Sequence, residues 1–284
     1  MTTGTLFVVA TPIGNLEDIT LRGLRILNEV GLIAAEDTRH TRNLLTRYAI
    51  KTPLISCHEH NIEKVTPKLI SRLDKGISIA LTSDAGTPLV SDPGYYLVRS
   101  AIDAGITVVP VPGACAAIAA LSVSGLPLDS FLFLGFLPRK KARKSELLRS
   151  LKEDPRTFIL YESPVRFISS LKEIVEVIGD RKAIVARELT KCHEEILRGK
   201  ISELLAILKD RGVVKGECTL VVEGNIGEGK QSEALTQDFV EQLCRLRNEG
   251  DCSLKEAVEI VSNTYDISKR QIYEKALKLW DKKP

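Results

Sequence analysis

The sequence predicts an α/β protein made of two α/β domains followed by a helical C-terminal domain. Short apolar runs typical of buried strands alternate with longer stretches in which leucine, isoleucine and valine recur at helical spacing. Alternation of this kind is typical of right-handed βαβ units and of a mostly parallel sheet. Near residue 229 the alternation stops, and the pattern that follows is helical only.

The first predicted domain spans residues 1–125. Its first strand is the apolar run Leu6–Ala10, and a helical pattern from Leu21 to Val30 follows it. The other strands of this domain are predicted at Leu32–Ala35, Pro53–Cys57, Ile77–Leu81 and Thr107–Val111.

The second predicted domain spans residues 126–229, and the helical C-terminal domain spans residues 230–284. Strands of the second domain are predicted at Phe131–Gly135, Thr157–Tyr161, Ala183–Ala186 and Cys218–Val222. Two α/β domains of similar size imply a cleft between them. Gly224–Gly229 is predicted to be a linker, and capping boxes at Ser253–Glu256 and Ser268–Gln271 predict two later helices in a helix-turn-helix-like arrangement.

Composition limits the classes of function. The hydrophobic content of 44% suits a large core, and the charged residues nearly cancel to +3, so nucleic-acid binding would have to depend on local clusters. The six cysteines form no Cys-x-x-Cys pair, which favours reduced thiols without disulfides or structural zinc. The N-terminus lacks a signal-peptide pattern, and prolines and glycines interrupt the uncharged stretch 104–128. We expect a cytoplasmic protein that does not span a membrane.

The loop Ser83–Gly94 is the strongest indication of a ligand site. It follows a predicted buried strand and contains two Asp, two Pro and two Gly, and ligands of open α/β sheets bind at the carboxyl ends of strands. Such a loop could simply turn the chain, but its two Ser-Asp pairs favour a ligand loop. At its end, Pro93 and Gly94 are predicted to start the next helix, with Asp92 as the N-cap.

Two more loops follow predicted parallel strands, at Thr11–Leu16 and Pro110–Ala116. Neither has the Gly-x-Gly-x-x-Gly pattern of dinucleotide sites or the Gly-x-x-x-x-Gly-Lys-Ser/Thr pattern of P-loops. Taken alone, the second of them is equally consistent with close packing of a helix on the sheet. Together the three loops predict a ligand site at one edge of the sheet.

Seven motifs, in order along nearly the whole chain, resemble the ribosomal RNA small subunit methyltransferase I family of the tetrapyrrole methylase superfamily. They are Val9–Leu16, Ala35–Arg39, Ser83–Pro88, Ser91–Gly94, Gly135–Lys140, Tyr161–Pro164 and Arg187–Lys191. The resemblance implies a fold of the tetrapyrrole methylase type, with S-adenosylmethionine held in the cleft between the two α/β domains. It also implies 2′-O-methylation of a cytidine in the decoding region of 16S ribosomal RNA, with that RNA or the small ribosomal subunit as partner, and a homodimer.

The cofactor contacts implied by the resemblance lie at strand ends of both domains, where backbone amides supply much of the contact. They map to Thr11, Pro12, Asp84, Thr87, Cys115, Ala116, Tyr161, Ala186 and Thr219. Methyl transfer depends mainly on alignment of the reactants, but a ribose hydroxyl is a poor nucleophile that a base or a cation would assist. The catalytic candidates are Glu36, Asp37, His58, Glu59, Glu162, Glu188 and Lys191.

His58 and His60 form a His-x-His pair at the end of a predicted strand. Two histidines without a third ligand are a weak indication of metal, so we predict no metal site and favour an RNA-facing or acid–base role for His58. Asn61 is also predicted to be the N-cap of the following helix, and this is compatible with that role.

The segment from Arg139 to Lys144 carries five positive charges in six residues. Such a run is often only a solvated helix start, but beside a cleft it suits phosphate contacts. The predicted RNA-binding residues are Arg139, Lys140, Lys141, Arg143 and Lys144, and Lys269, Arg270, Lys275, Lys278, Lys282 and Lys283 make the C-terminal tail basic. With 5% aromatic residues, contacts to the RNA backbone are expected to outweigh base stacking.

Two alternatives remain on the sequence alone. A small-molecule methyltransferase acting on a tetrapyrrole would share fold and cofactor, but it has no need of the basic segment or the helical tail. A non-catalytic RNA-binding assembly factor would leave the Asp84 loop without a role.

Overall fold

The computed structural model describes residues 3–225, 238–247, 252–265, 269, 272–273 and 276–277. The chain divides into two compact units, Met1–Gly224 and Asn225–Pro284. The first predicted domain, and the second up to Gly224, therefore lie within the first unit. Across the described ranges, every helix is too short or too polar to traverse a lipid bilayer.

The first sheet contains five parallel strands in the order β3-β2-β4-β1-β5. The strands are β1 Leu6–Val9, β2 Leu32–Ala35, β3 Leu54–Ser56, β4 Ile79–Thr82 and β5 Val108–Val111. The helices that follow them are α1 Leu21–Glu29, α2 Thr38–Arg47, α3 Ile62–Asp74, α4 Tyr95–Asp103 and α5 Ala116–Ser122, and a 3-10 turn covers Leu16–Asp18. Because β4, β1 and β5 are neighbours, the three loops predicted to bind a ligand leave the same edge of the sheet side by side.

Helices cover both faces of this sheet, so its central strands are apolar except for the buried Thr82 at the end of β4. Every residue of β2 and β4 is buried, as expected for a parallel sheet between two helical layers. One face packs against Leu69 of α3 and Leu97 of α4, and the opposite face packs against Leu27 of α1 and Leu44 of α2.

The second sheet also has five strands, but it is mixed, in the order β6-β7-β10-β8-β9. Its strands are β6 Phe131–Phe136, β7 Thr157–Glu162, β8 Lys182–Arg187, β9 Glu195–Lys200 and β10 Cys218–Val222. Only the β6–β7 pair is parallel. The helices are α6 Lys141–Ser150, α7 Pro164–Ile178 and α8 Ile201–Asp210. The predicted fold class is confirmed, but β9 was not predicted from the sequence.

Helix α5 links the two halves of the first unit. Although its residues follow the first sheet in sequence, Ala117, Ala120 and Leu121 pack against Ile159 of β7 and Val221 of β10 in the second sheet. The small side chains of α5 allow this close approach, which brings the carboxyl end of β5 next to β7.

The second unit contains helix α9, residues 238–247, and helix α10, Leu254–Tyr265. The predicted capping box at the start of α10 is confirmed, since Ser253 N–H donates to Glu256 Oε2 at 2.8 Å and Glu256 N–H donates to Ser253 Oγ at 3.4 Å. The predicted capping box at Ser268–Gln271 and most of the predicted linker lie outside the described residues.

Candidate functional site

Hydrogen bonds join the three loops at the edge of the first sheet. Thr11 N–H donates to Gly86 O at 2.8 Å, and Gly86 N–H donates to Thr11 O at 3.0 Å, so the two segments form a short antiparallel bridge. The Thr11 hydroxyl contacts Ser83 O at 3.2 Å, and Thr87 Oγ1 donates to Ala114 O at 3.1 Å. The loops after β1, β4 and β5 therefore form one connected rim.

A first cavity of about 330 Å³ lies between this rim and the second sheet. The Ser83–Gly94 loop and the start of α5 line one side, and the ends of β6 and β7 with the start of β10 line the other. Five of the predicted cofactor contacts line this first cavity, namely Thr87, Cys115, Ala116, Tyr161 and Thr219.

Tyr161 connects the first cavity to both halves of the unit. Its hydroxyl accepts a hydrogen bond from Ala117 N–H at 3.1 Å, and its ring contacts Phe133 and Phe136 edge to face, with centroids 5.2 and 5.7 Å apart. Burial raises the pKa of Tyr161, so the phenol stays protonated. The ring presents a fixed apolar wall to the first cavity.

A second cavity of about 310 Å³ adjoins the first and shares Ile13, Ala85 and Glu217 with it. Three more of the predicted cofactor contacts line this second cavity, namely Thr11, Pro12 and Asp84. The last predicted contact, Ala186, lines neither cavity among those described. It is 1% exposed on β8, where it is paired with Thr219 of β10.

Left-handed backbone is concentrated around the cavities. In the described ranges, four of the five non-glycine residues with positive φ are Leu89 (72°), Ser91 (70°), Glu188 (51°) and Thr190 (65°). These residues lie in two segments that the sequence singled out, the Ser83–Gly94 loop and the turn after β8. Strained backbone persists where the surrounding structure demands it, and it is concentrated at functional sites.

Asp92 does not cap α4, so this prediction is wrong. Gly94 occupies the N-cap position with a φ of 134° and without a side-chain cap, while Asp92 lines the first cavity. Burial and the negative charge of Glu36 raise the pKa of Asp92 to about 6. The left-handed residues on either side, Ser91 and Gly94, turn the chain so that this carboxyl lies at the cavity instead of at the helix.

The ends of β2 and β4 are joined through three acidic residues. Asp37 N–H donates to Asp84 Oδ1 at 2.8 Å, and Asp84 N–H donates to Glu36 Oε2 at 3.3 Å. Burial raises the pKa of Glu36, although the hydrogen bond from Asp84 N–H acts against it. Asp37 caps α2 through Arg39 N–H and pairs with the Arg39 guanidinium at 2.6 Å, which holds the pKa of this carboxyl well below its usual range.

Glu162, a catalytic candidate, lines the first cavity, but its carboxylate is occupied. It is 2% exposed and accepts hydrogen bonds from Ser163 N–H and Ser170 Oγ, both at 2.8 Å, and it pairs with Arg166 at 2.5 Å. These contacts fix the start of α7 against β7.

Lys191, another candidate, lies between two carboxylates. Its Nζ is 2.9 Å from Glu188 and 3.2 Å from Glu217. Burial alone would lower the pKa of Lys191, but the hydrogen bonds to Glu188 and Glu217 raise it. Lys191 is therefore a cation on the wall of the second cavity. Hydrogen bonds from Glu217 N–H and from Lys191 Nζ lower the pKa of Glu188.

His58 and Glu59 line neither cavity described. Asn61 stands at the N-cap of α3, but the predicted side-chain cap is wrong, because Asn61 Oδ1 accepts from His58 N–H at 2.9 Å and Nδ2 donates to Ser56 O at 3.1 Å. The side chain closes the turn after β3. Within the described ranges, no group of three or more His, Cys, Asp or Glu side chains could hold a metal ion.

The basic segment lies at the start of α6. Arg139, Lys140, Lys141 and Arg143 are exposed, whereas the side chain of Lys144 is 16% exposed and pairs with Glu173 of α7 at 2.5 Å. Four of the predicted RNA-binding side chains are thus accessible, and the fifth joins two helices.

Comparisons with known proteins agree with this geometry. A family model described as Tetrapyrrole (Corrin/Porphyrin) Methylases matches residues 5–205. The chain is 47% identical over 280 residues to ribosomal RNA small subunit methyltransferase I of Pseudomonas aeruginosa, and these residues make up 98% of each chain. It is also 47% identical over 276 residues to the protein of that name from Escherichia coli O157:H7, covering 96% of this chain and 95% of the other. The chain belongs to the tetrapyrrole methylase family.

A solved methyltransferase structure has a similar fold. The uroporphyrin-III C-methyltransferase of Thermus thermophilus, complexed with S-adenosylhomocysteine, is similar with a TM-score of 0.55 and 18% identity, covering 78% of this chain and 97% of that one. The predicted tetrapyrrole methylase family and the predicted enzyme class, methyltransferase, are both confirmed.

Sequence reasoning did not place several residues that line the cavities of this methyltransferase. Asp92 lay in a recognised motif but was assigned to helix capping, and Glu217 precedes a strand without any distinguishing pattern. His40, Thr41 and Asn43 of α2 line the second cavity, and their polar, helical sequence looks like an ordinary solvated face.

Proposed function

We propose that the protein transfers a methyl group from S-adenosylmethionine to the 2′-oxygen of a cytidine in the decoding region of 16S ribosomal RNA. The observation that carries this proposal is the first cavity, which is enclosed by three hydrogen-bonded loops of one sheet and by the strand ends of another. Ribosomal RNA is proposed as the substrate because the relatives are named ribosomal RNA methyltransferases. The cytidine ribose is proposed because the motif resemblance implies it.

The residues of the first cavity fit S-adenosylmethionine. Ile13, Val90 and Tyr161 offer apolar surface to an adenine ring and a thioether chain. The charged residues that line this cavity within the described chain are the carboxylates Asp92, Glu162 and Glu217, without a lysine or arginine. Glu162 pairs with Arg166 and Glu217 with Lys191. Asp92 is therefore the carboxylate of this lining whose charge can favour the sulfonium of the ligand.

Methyl transfer to a ribose hydroxyl requires the protein to align the two reactants and to accept the hydroxyl proton. When bound, S-adenosylmethionine supplies a methyl carbon to which the 2′-oxygen bonds as the carbon–sulfur bond breaks, leaving S-adenosylhomocysteine. The hydroxyl proton passes to a carboxylate of the site, for which Asp84, Asp92 and Glu217 are placed at the cavity walls. The protein contributes positioning above all, since a bound near-attack geometry removes most of the entropic barrier.

The charge of Asp92 predicts a pH-dependent preference between the two forms of the cofactor. Only S-adenosylmethionine carries the sulfonium charge. Asp92, with a pKa raised to about 6, is neutral below that pH and negative above it, so it attracts the sulfonium only above it. We expect the affinity for S-adenosylmethionine relative to S-adenosylhomocysteine to rise about three- to tenfold from about pH 5 to about pH 7.5 in calorimetric titrations.

In Asp92→Asn this preference should lose its pH dependence, whereas the exposed control Asp103→Asn should keep it. A wild-type ratio that stays constant over this range would contradict the role given to Asp92.

The exposed basic residues at the start of α6 are proposed to contact RNA phosphates. Replacing Arg139, Lys140 and Arg143 with glutamine should weaken binding of small ribosomal subunits about tenfold at moderate salt and reduce the salt dependence by about two phosphate contacts, while cofactor affinity stays unchanged. Binding measured across a salt series tests this. Lys144→Gln is the matched control, because its ion pair with Glu173 predicts a lower Tm and an unaltered salt slope. If the triple variant kept the wild-type slope, these residues would not be phosphate contacts.

We also propose a homodimer and a cytoplasmic location. The homodimer is supported by exposed phenylalanines on β6, an edge strand of the second sheet, namely Phe131 and Phe133 with 41% and 37% exposure. Apolar side chains on an exposed edge strand are typical of a surface that another protein covers.

The proposed function is tested by offering methyl-labelled S-adenosylmethionine with three acceptors: undermethylated small subunits, free 16S RNA and a tetrapyrrole. We expect label in one of the two RNA acceptors and none in the tetrapyrrole. Transfer to the tetrapyrrole alone would support the small-molecule alternative, and cofactor-independent RNA binding without transfer would support an assembly factor.

A further inference from the structure

The second cavity differs from the first in its lining. It opens beside the first cavity, between the loop after β1 and helix α2, and its volume of about 310 Å³ is nearly that of the first. Its walls are more polar, with His40, Asn43, Asp84 and Lys191 among them. A pocket of this size with several polar groups is typical of a site for a small polar ligand or group.

One buried group in this cavity lacks a partner. Thr41 is 4% exposed, lines the second cavity, and its Oγ1 forms no hydrogen bond. A buried hydroxyl without a partner is costly, and native proteins seldom retain one without a reason. A polar group of a ligand that reached Thr41 Oγ1 from the second cavity would supply the missing partner.

The other polar groups around the cavity match a nucleoside. The Asn43 amide can donate to and accept from the edge of a base. The His40 ring offers a surface on which a base can stack. Lys191, fixed between Glu188 and Glu217, places a cation at the cavity wall.

The position of the second cavity suits an acceptor. Ile13, Ala85 and Glu217 line both cavities, so the two cavities adjoin at these side chains. Enzymes that modify a nucleotide inside RNA commonly turn it out of the stack into such a pocket.

We propose that the second cavity receives the target nucleotide of the RNA, turned out of its stack, with the base toward Thr41 and Asn43 of α2 and the ribose toward the wall shared with the first cavity. This inference rests on the proposed function, since it assigns the acceptor of the same reaction.

Two variants on α2 test the acceptor pocket, each with a matched control. Thr41→Val and Asn43→Ala should each lower kcat/KM for undermethylated small subunits about tenfold, and should weaken cosedimentation with those subunits when S-adenosylhomocysteine is present. Affinity for S-adenosylhomocysteine, measured by calorimetry, should stay within about twofold. The exposed helical residues Thr46 and Asn28 supply the controls Thr46→Val and Asn28→Ala, which should behave as wild type.

Thermal unfolding separates this role from a structural one. Because Thr41 Oγ1 has no partner in the protein, Thr41→Val removes only a desolvated hydroxyl and should not lower Tm. A lower Tm with parallel loss of cofactor affinity would assign Thr41 to the fold and overturn the inference.

The other possible outcomes also test whether the second cavity is the acceptor pocket. If both variants transfer methyl groups and cosediment as the wild type does, the second cavity is not the acceptor pocket. If they lose cofactor affinity selectively, the cavity belongs to the cofactor. If the wild type modifies no ribose, the proposed function fails, while cosedimentation, which needs no turnover, still decides whether the cavity contacts RNA.

Discussion

Gly14→Ala is expected to reduce methyl transfer about ten- to a hundredfold. A Cβ on Gly14 would lie 2.5 Å from Lys191 Cγ, 2.8 Å from Thr190 Oγ1 and 2.9 Å from Leu189 O. The turn it would strike is already strained, with left-handed Glu188 and Thr190, and it is held to the β1 loop by a 2.9 Å hydrogen bond from Asn15 N–H to Thr190 Oγ1. Overpacking of this kind costs about 1–3 kcal/mol, which the protein can relieve only by separating the two walls of the site.

Transfer rates and cofactor affinity should fall together in this variant. Gly125→Ala is the matched control. Gly125 has a left-handed φ of 70°, and a Cβ added there would have no atom within 4 Å. That control should lose stability, about 1–2 kcal/mol, but not cofactor affinity. Wild-type cofactor affinity in Gly14→Ala would contradict the view that the contact between the β1 loop and the turn after β8 shapes the site.

Asp84→Ala is expected to weaken S-adenosylmethionine binding about ten- to a hundredfold. The Asp84 carboxylate lines the second cavity beside the wall shared with the first, and it holds the ends of β2 and β4 together by accepting from Asp37 N–H at 2.8 Å. A hydrogen bond to a charged group contributes about 1.5–3 kcal/mol. Removing the Asp84 carboxylate eliminates its negative charge. It also eliminates the hydrogen bond that restrains the Ser83–Gly94 loop.

Calorimetry with the purified variant measures this effect directly. The control is Asp74→Ala, which removes an exposed carboxylate at the end of α3 and should leave cofactor affinity unchanged. Equal affinities for the wild type and Asp84→Ala would refute the assignment of Asp84 to the cofactor site.

The strands were predictable because a parallel sheet buried on both faces requires continuous apolar runs, which Leu32–Ala35 of β2 and residues 79–81 of β4 supply. Strand β9 escaped prediction for the opposite reason. Glu195–Lys200 begins and ends with a charge and contains Arg198 and Gly199, since an antiparallel edge strand needs to bury little. Its place is fixed by pairing with β8, which periodicity does not reveal.

The position of the site was predictable because loops that leave adjacent parallel strands meet at one edge. The roles of single side chains were less predictable from the sequence. Asp-Pro-Gly before a helix is typical of a capped helix start, but left-handed φ at Ser91 and Gly94 moves Asp92 away from α4 and toward the first cavity. Lys144 does not differ in sequence from its basic neighbours, but it alone of the five pairs with Glu173 of α7 in the described chain. Such pairings arise from tertiary contacts between distant segments.

The measurement that tests the central claim most directly is the identity of the methylated nucleoside. Undermethylated small subunits are incubated with the protein and methyl-labelled S-adenosylmethionine. One part of the 16S RNA is digested to nucleosides, so that mass spectrometry identifies the labelled product, and another part is cut into oligonucleotides to map its position. We predict 2′-O-methylcytidine at a single position in the decoding region, absent when S-adenosylmethionine is omitted. Label on a base, or on a ribose elsewhere in the RNA, would contradict the proposed function.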